Sequence, residues 1–105
     1  MARESGDGAL TETAFYILLS LQTPMHGYGI MEKVREMTRE RIQMGAGTLY
    51  GALNLLQARG WIAQHAEDLR RKEYIITAAG RKVLEEDVKR LEDMLAHARQ
   101  AMGGT

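Results

Sequence analysis

The chain has 105 residues, of which 45% are hydrophobic and 27% charged, a composition typical of one compact globular domain. Fourteen Lys and Arg residues balance fourteen Asp and Glu residues, and this zero net charge argues at first sight against nucleic acid or an anionic membrane as a partner. Cysteine is absent, which excludes disulfides, a thiol nucleophile and a cysteine zinc site, and the longest apolar run, Ala14–Leu19, is far shorter than the roughly 18 residues of a membrane span.

The N-terminal part of the chain contains an arm and a first helix. Residues 1–9 are small, polar and rich in glycine, which predicts a disordered arm without a secretory pattern. Apolar residues then recur at helical spacing from Leu10 to Leu21. Phe15 and Leu19 form a second apolar stripe, so this helix must be buried on two sides. In so small a domain, a second subunit is the simplest source of the second cover.

Two further helices are predicted before residue 60. Pro24 ends the first helix, and a second is expected from about His26 to Met37. Its inward side chains are expected to be Tyr28 or Ile30, with Met31 and Val34. A break at Gly45–Thr48 then precedes a third helix, which ends at Arg59 and Gly60. The buried stripe of this third helix is predicted to be Leu49, Ala52, Leu53 and Leu56.

The C-terminal part predicts a hairpin followed by a long helix. Trp61–His65 and Glu73–Ile76 have strand composition and flank a charged stretch at 66–72. Thr77 then caps a helix from Ala78 to Ala101, about 36 Å long at 1.5 Å per residue. Its apolar residues recur in steps of four and three: Leu84, Val88, Leu91, Leu95, Ala98 and Met102. The core of one chain cannot cover so long a helix, so this seam predicts a two-fold homodimer.

The order of elements defines the expected fold class. It is mainly α with a small β-hairpin: a winged helix-turn-helix over 10–77, followed by a long C-terminal dimerisation helix and short tail over 78–105. In this fold the third helix enters the major groove of DNA and the hairpin forms the wing. The elements therefore predict a DNA-binding protein, in spite of the zero net charge.

Six residues are the candidate DNA contacts. Thr48 and Tyr50 suit phosphate or base contacts, and Asn54 could pair with adenine through two hydrogen bonds. The wing cluster Arg70, Arg71 and Lys72 suits phosphates or a narrow minor groove. Five of them have a simpler alternative: Tyr50 packs beneath the wing, Asn54 is only solvated, and the basic cluster is an ordinary surface turn.

No enzymatic reading finds support in the residues. The three histidines, His26, His65 and His97, fall on different elements without metal-ligand spacing, so neither a metal nor a cofactor is expected. The carboxylates at Glu85–Asp87 and Glu92–Asp93 are expected to be solvated on a helix surface, not to act as an acid–base pair. A non-enzymatic, cytoplasmic binding protein remains.

Four sequence segments carry a resemblance to a known family. They are Pro24–Ile30 (PMHGYGI), Gly47–Leu53 (GTLYGAL), Gly60–Ile62 (GWI) and Arg71–Arg81 (RKEYIITAAGR), with Leu56 and Leu84 beside them. In this order and spacing they resemble the PadR-type transcriptional regulators, over about residues 10–95. The resemblance implies a dimeric winged helix-turn-helix repressor of its own or a neighbouring gene. It also implies release from DNA when a small aromatic or drug-like effector binds.

The resemblance also bears on the dimer and the effector. A single C-terminal helix is similar to the smaller PadR subgroup, in which the first and last helices form the interface, so Phe15 and Leu19 join the C-terminal seam as expected dimer contacts. Some relatives stack flat drugs on a Trp of the last helix, which has no aromatic residue here. An effector pocket would instead draw on Phe15, Tyr16 and Met94. Gly51 stands where the family usually has Pro, and Asn54 and Leu55 where it often has a basic residue.

The zero net charge conceals a polarised distribution. Residues 59–82 carry six basic and three acidic side chains, whereas residues 83–105 carry three basic and five acidic ones. The basic part coincides with the end of the third helix, the wing and the start of the last helix. We therefore expect weak non-specific DNA affinity and dependence on a matched site. The alternative function is a winged-helix module that contacts protein and does not bind DNA.

Overall fold

The computed structural model describes residues 9–65 and 71–103. Within these ranges it has four helices, α1 (Glu12–Ser20), α2 (Gly27–Met37), α3 (Ala46–Ala58) and α4 (Ala78–Ala101). The strands are β1 (Met25–His26), β2 (Ile62–Gln64) and β3 (Glu73–Ile76). The predicted class, mainly α with a small hairpin and a long last helix, is confirmed. The predicted arm and most of the hairpin tip lie outside the described residues.

The sheet has one more strand than the sequence predicted. Its order is β1-β3-β2, with both pairings antiparallel. β1 has only two residues, which pair with Tyr74 and Glu73 of β3. The backbone N–H of Ile76 also donates to the carbonyl of Leu21 at 3.0 Å, which ties β3 to the end of α1. β3 is therefore anchored to the helical part by two separate backbone contacts.

Side-chain caps define the starts of α1 and α4. Thr11 Oγ1 accepts a hydrogen bond from the N–H of Ala14 at 3.0 Å, so α1 begins later than the apolar spacing predicted. Thr77 Oγ1 accepts from the N–H of Gly80 at 3.0 Å, as predicted for the last helix. At α3 the prediction was wrong: residues 45–48 are not a break, because Gly45 is the N-cap and Gly47 and Thr48 lie in the first turn.

The core lies between the sheet and all four described helices, with α4 contributing only its first turns. Its buried apolar side chains are Ile17, Leu18, Leu21, Ile30, Val34, Leu49, Leu53, Leu56, Ile62, Tyr74, Ile76 and Leu84. Of the two alternatives for α2, Ile30 is buried and Tyr28 is 64% exposed. The expectation that Asp87 is solvated was wrong, since its side chain is only 2% exposed.

Two glycines allow the wing to pack closely against helices. Gly60 follows α3 with a φ of +78°, a conformation that glycine adopts without steric cost. A Cβ on Gly80 would collide with the carbonyl oxygen of Trp61 and would lie 2.9 Å from Ile76 Cγ1. The first turn of α4 is thus in backbone contact with the base of the wing.

Candidate nucleic-acid interface

The outer face of α3 is open to solvent. Leu49, Leu53 and Leu56 hold the helix on the core, while Thr48 and Asn54 are exposed, as the predicted role requires. The N-cap Gly45 provides no side-chain hydrogen bond to the first turn. Uncapped N–H groups at a helix start can donate to a phosphate. No charged side chain lies between Ala46 and Ala58, so any contact by this helix is made by neutral groups.

Tyr50 packs against α2 and still keeps an exposed side. A Cβ on Gly27 would collide with the Tyr50 hydroxyl, would lie 2.8 Å from its Cζ and 3.3 Å from Leu49 Cδ2. Burial raises the pKa of Tyr74 in β3, and the nearby Tyr50 adds to that rise. Tyr50 therefore lies between the start of α2 and the wing, yet 44% of it is exposed. The position of Tyr50 is therefore compatible both with packing beneath the wing and with a contact to DNA.

Tyr50 contacts Gly27, the first residue of α2, and β1 lies directly before Gly27 in the chain. His26 is the N-cap of α2, and its Nδ1 accepts from the N–H of Gly29 at 3.3 Å. A Cβ on Gly29 would lie 2.9 Å from Met25 Cγ. Tyr28, expected as a possible inward residue, instead presents its ring to solvent beside this cap. Its exposure was not predicted from the sequence.

The wing places two of its three predicted cations next to β3. Arg71 and Lys72 are exposed and directly precede Glu73, the first residue of β3. Arg70 lies outside the described residues. At the base of the wing, the Arg59 guanidinium lies 5.2 Å from the centre of the Trp61 ring, a cation–π contact. Trp61 packs partly buried against the core, as expected for a residue at the base of the wing.

The connection from α2 to α3 is tied to α1. Arg39 and Glu40 have φ values of 53° and 65°, which non-glycine residues rarely adopt. Arg41 follows, and its guanidinium contacts Glu12 Oε2 at 2.7 Å. The hydrogen bond with Arg41 lowers the pKa of Glu12, and that with Glu12 raises the pKa of Arg41. The start of α1 is therefore in direct contact with the segment that leads into α3.

A cavity of about 310 Å³ opens between the start of α1 and α4. It is lined by Leu10, Glu12, Phe15, Tyr16, Asp87, Arg90 and Leu91. The Phe15 and Tyr16 rings meet edge to face with centroids 5.6 Å apart. These two predicted effector residues therefore line one cavity. Met94 is not part of its lining, and its sulfur contacts the Arg90 guanidinium at 3.0 Å.

The predicted dimer residues divide into two groups. Leu84 belongs to the core of its own chain, so little of its surface is left for a partner, and Phe15 and Leu19 are half-buried. The other residues of the seam are exposed: Val88, Leu91, Leu95, Ala98 and Met102. Within the described residues, no helix is long and apolar enough to span a membrane, and no cluster of three or more His, Asp or Glu residues could hold a metal ion.

Known proteins match this chain in sequence family and in fold. The model of the transcriptional regulator PadR-like family matches residues 17–86, which is more than half of the chain. The chain belongs to the PadR-like family. PadR-like proteins are transcriptional regulators and not enzymes, and they bind DNA and typically dimerise.

Solved PadR structures share the fold over most of their length. A PadR family transcription regulator from Clostridium difficile is 25% identical, with a TM-score of 0.71 over 90% of this chain and 100% of that one. A PadR family regulator from Eggerthella lenta is 23% identical, with a TM-score of 0.70 over 85% and 80%. An uncharacterised 37.1 kDa transposon protein of Streptomyces fradiae is 36% identical over 64 residues, 61% of this PadR chain but only 18% of that protein.

Proposed function

We propose that this PadR-like protein is a cytoplasmic, homodimeric, sequence-specific DNA-binding repressor that a small-molecule effector releases from its operator. The observation that carries the DNA-binding part is the outer face of α3. Leu49, Leu53 and Leu56 are buried in the core, and the opposite side offers Thr48, Asn54 and free N–H groups to solvent. Arg71 and Lys72 of the wing supply the cations that α3 lacks.

The charge of the chain sets the expected mode of binding. Because α3 carries no cation, phosphate contacts come from the wing and from helix-start N–H groups. Non-specific affinity should then be weak, and most of the free energy of binding should come from a matched site. A repressor of this kind depends on having two half-sites in register.

The proposal of a homodimer rests on α4. Its 24 residues extend beyond the core, and Leu91, Leu95 and Met102 are exposed along it. A second α4 would bury this seam. Sedimentation equilibrium should give a dimer, and Leu95→Glu should shift it to monomer. Leu55→Glu is the matched control, because Leu55 on α3 is exposed to the same degree, 54% against 53% for Leu95, but lies off the seam. Equal behaviour of the two variants would refute pairing through α4.

Fluorescence anisotropy tests the DNA-binding function. The labelled duplexes are the promoter region of the protein's own gene and a random duplex of the same length, each titrated at several salt concentrations. We expect salt-sensitive binding with preference for the promoter. Binding to neither duplex, or equal binding to both, would rule out a sequence-specific regulator of that promoter.

The absence of charge on α3 favours one alternative, a winged-helix module that contacts a protein partner. Retention on immobilised DNA at low salt separates the two functions. A DNA-binding protein is retained and elutes as the salt concentration rises, whereas a protein-binding module of zero net charge passes through.

A further inference from the structure

The cavity between α1 and α4 contains a buried carboxylate whose hydrogen-bonding capacity the described residues satisfy only in part. Asp87 is 2% exposed, and its Oδ1 accepts hydrogen bonds from the N–H of Leu10 at 3.3 Å and from Arg90 Nε at 2.9 Å. None of the described residues donates to Oδ2. A buried oxygen without a donor costs free energy, so a group that donated to it would be bound favourably.

The rest of the lining indicates what kind of molecule would bring that donor. Leu10, Phe15 and Leu91 provide an apolar wall, and the volume of about 310 Å³ is at the lower end of the range for small-molecule sites, about 300–1,000 Å³. Glu12 adds a second carboxylate at the cavity. Arg90 is its one cation among the described lining residues, and it is already bonded to Asp87. The best complement is therefore an apolar body with a positively charged N–H donor.

The same cavity is one contact away from the segment that leads into α3. Glu12 lines it and also pairs with Arg41, in the segment between α2 and α3. Both side chains of this pair are more than half exposed, so solvent screens it and it is easily exchanged. A second cation near Glu12 would compete with Arg41. Loss of the pair would remove the only ion pair that the described residues form between α1 and the segment that leads into α3.

We propose that this cavity binds a small organic cation with an apolar body. The cation donates a hydrogen bond to Asp87 and displaces Arg41 from Glu12. Loss of the Glu12–Arg41 pair loosens the segment that positions α3, and DNA affinity falls. The inference names the ligand class and the route of regulation, and its DNA-related part rests on the proposed function. Phe15 and Leu91 also belong to the proposed dimer interface, so a partner subunit would close the open side of the cavity.

Three probes of one shape test the ligand class without DNA. Benzamidinium, benzamide and benzoate share a ring and differ in charge, and each is titrated by calorimetry into the full-length protein. We expect saturable binding of benzamidinium, at least tenfold weaker binding of benzamide and no binding of benzoate. Equal or tighter binding of benzoate, or no saturable binding of any probe, would overturn the proposal; the last result is also expected if partner side chains fill the cavity.

Variants then assign the site. Asp87→Asn should weaken benzamidinium at least tenfold, with circular dichroism checking the fold. Glu12→Gln, at an exposed position that does not endanger folding, should weaken it severalfold. Glu36→Gln is the matched control, because Glu36 is an exposed glutamate of α2 that does not line the cavity. Loss of affinity in Glu36→Gln equal to that in Glu12→Gln would show a general charge effect and contradict the site.

The route through Arg41 has its own readout. Arg41→Gln removes the competitor for Glu12, so benzamidinium should bind about two- to fivefold more tightly to this variant, within the range of an exposed ion pair. In wild type, benzamidinium should lower promoter affinity by a similar factor, and in Arg41→Gln it should not. Unchanged benzamidinium affinity in Arg41→Gln would overturn the coupling. Failure of all DNA binding would refute the proposed function and leave the calorimetric results to decide the site.

Discussion

The hydroxyl of Tyr50 lies so close to Gly27 that a Cβ on residue 27 would collide with it. Gly27 is the first residue of α2, and Tyr50 is in the second turn of α3, so the absence of one side chain sets how closely these helices approach. Leu49 Cδ2 would lie 3.3 Å from the same Cβ. The glycine of the His-Gly-Tyr segment is thus explained by a contact between helices and not by backbone conformation.

Gly27→Ala should therefore destabilise the protein. Alanine alone favours a helix by up to about 1 kcal/mol over glycine, but overpacking against Tyr50 costs about 1–3 kcal/mol, so we expect a net loss of free energy of unfolding. Urea denaturation measures it. In a Tyr50→Ala background the clash is removed, and Gly27→Ala should be neutral or stabilising. Additive effects of the two substitutions would show that the contact does not matter for stability.

Gly51→Ala should have the opposite effect. Gly51 lies in the interior of α3, and a Cβ there would meet nothing within 4 Å. Alanine should raise the free energy of unfolding by up to about 1 kcal/mol, measured by the same urea experiment. If DNA approaches this face closely, promoter affinity should fall while stability rises. A variant that is less stable than wild type would contradict the open environment of Gly51.

Tyr74 should make stability sensitive to alkaline pH. Burial raises the pKa of Tyr74 above its ordinary value of 10.0 in the folded state. Its contribution to stability is therefore fully present below 10.0 and is lost as the pH rises through the higher pKa of the folded state. Urea midpoints measured across this range should fall more steeply in wild type than in Tyr74→Phe. Tyr28→Phe, at an exposed position, should behave as wild type; a similar flattening there would contradict the assignment to Tyr74.

Two variants separate phosphate contact from base reading in the proposed DNA complex. Arg71→Ala should weaken binding to promoter and random duplexes alike and reduce the slope of affinity against salt by about one unit. Asn54→Ala should cost about 1–3 kcal/mol on the promoter and little on the random duplex. Anisotropy titrations give both values. Equal losses on the two duplexes for Asn54→Ala would refute its role in reading bases.

The helices and the hairpin were predictable because each repeats a pattern over many residues. The caps at Thr77 and Gly60 were predictable because each borders a periodic helix, Thr77 before α4 and Gly60 after α3. β1 was not, because two residues between a proline and a helix have no period, and only their pairing with Tyr74 and Glu73 makes them a strand. The start of α3 was placed too late because two glycines within three residues are typical of a turn, whereas Gly45 is the N-cap and Gly47 lies in the first turn of the helix.

The candidate site was predictable only in part. Phe15 and Tyr16 line the cavity because they are neighbours at the start of α1, where the chain meets α4. Met94 shares their apolar character but lies seven residues beyond Asp87, about 10 Å further along α4 at 1.5 Å per residue, beyond that contact. The burial of Asp87 was not predicted, because a carboxylate within an acidic run is typical of a solvated helix surface. Its burial depends on Leu10, 77 positions earlier in the chain.

Thr77 is the one residue between the end of β3 and the start of α4. Its N–H donates to the Trp61 carbonyl at 3.0 Å, and its hydroxyl donates to the Gly60 carbonyl at 2.7 Å and caps α4. No residue without such a contact lies between β3 and α4, so we expect β3 and α4 to move as one rigid unit. In a dimer paired through α4, the crossing angle of the two helices would fix the distance between the wings. Operators whose half-sites are moved apart by a single base pair should then be discriminated as strongly as operators with altered bases.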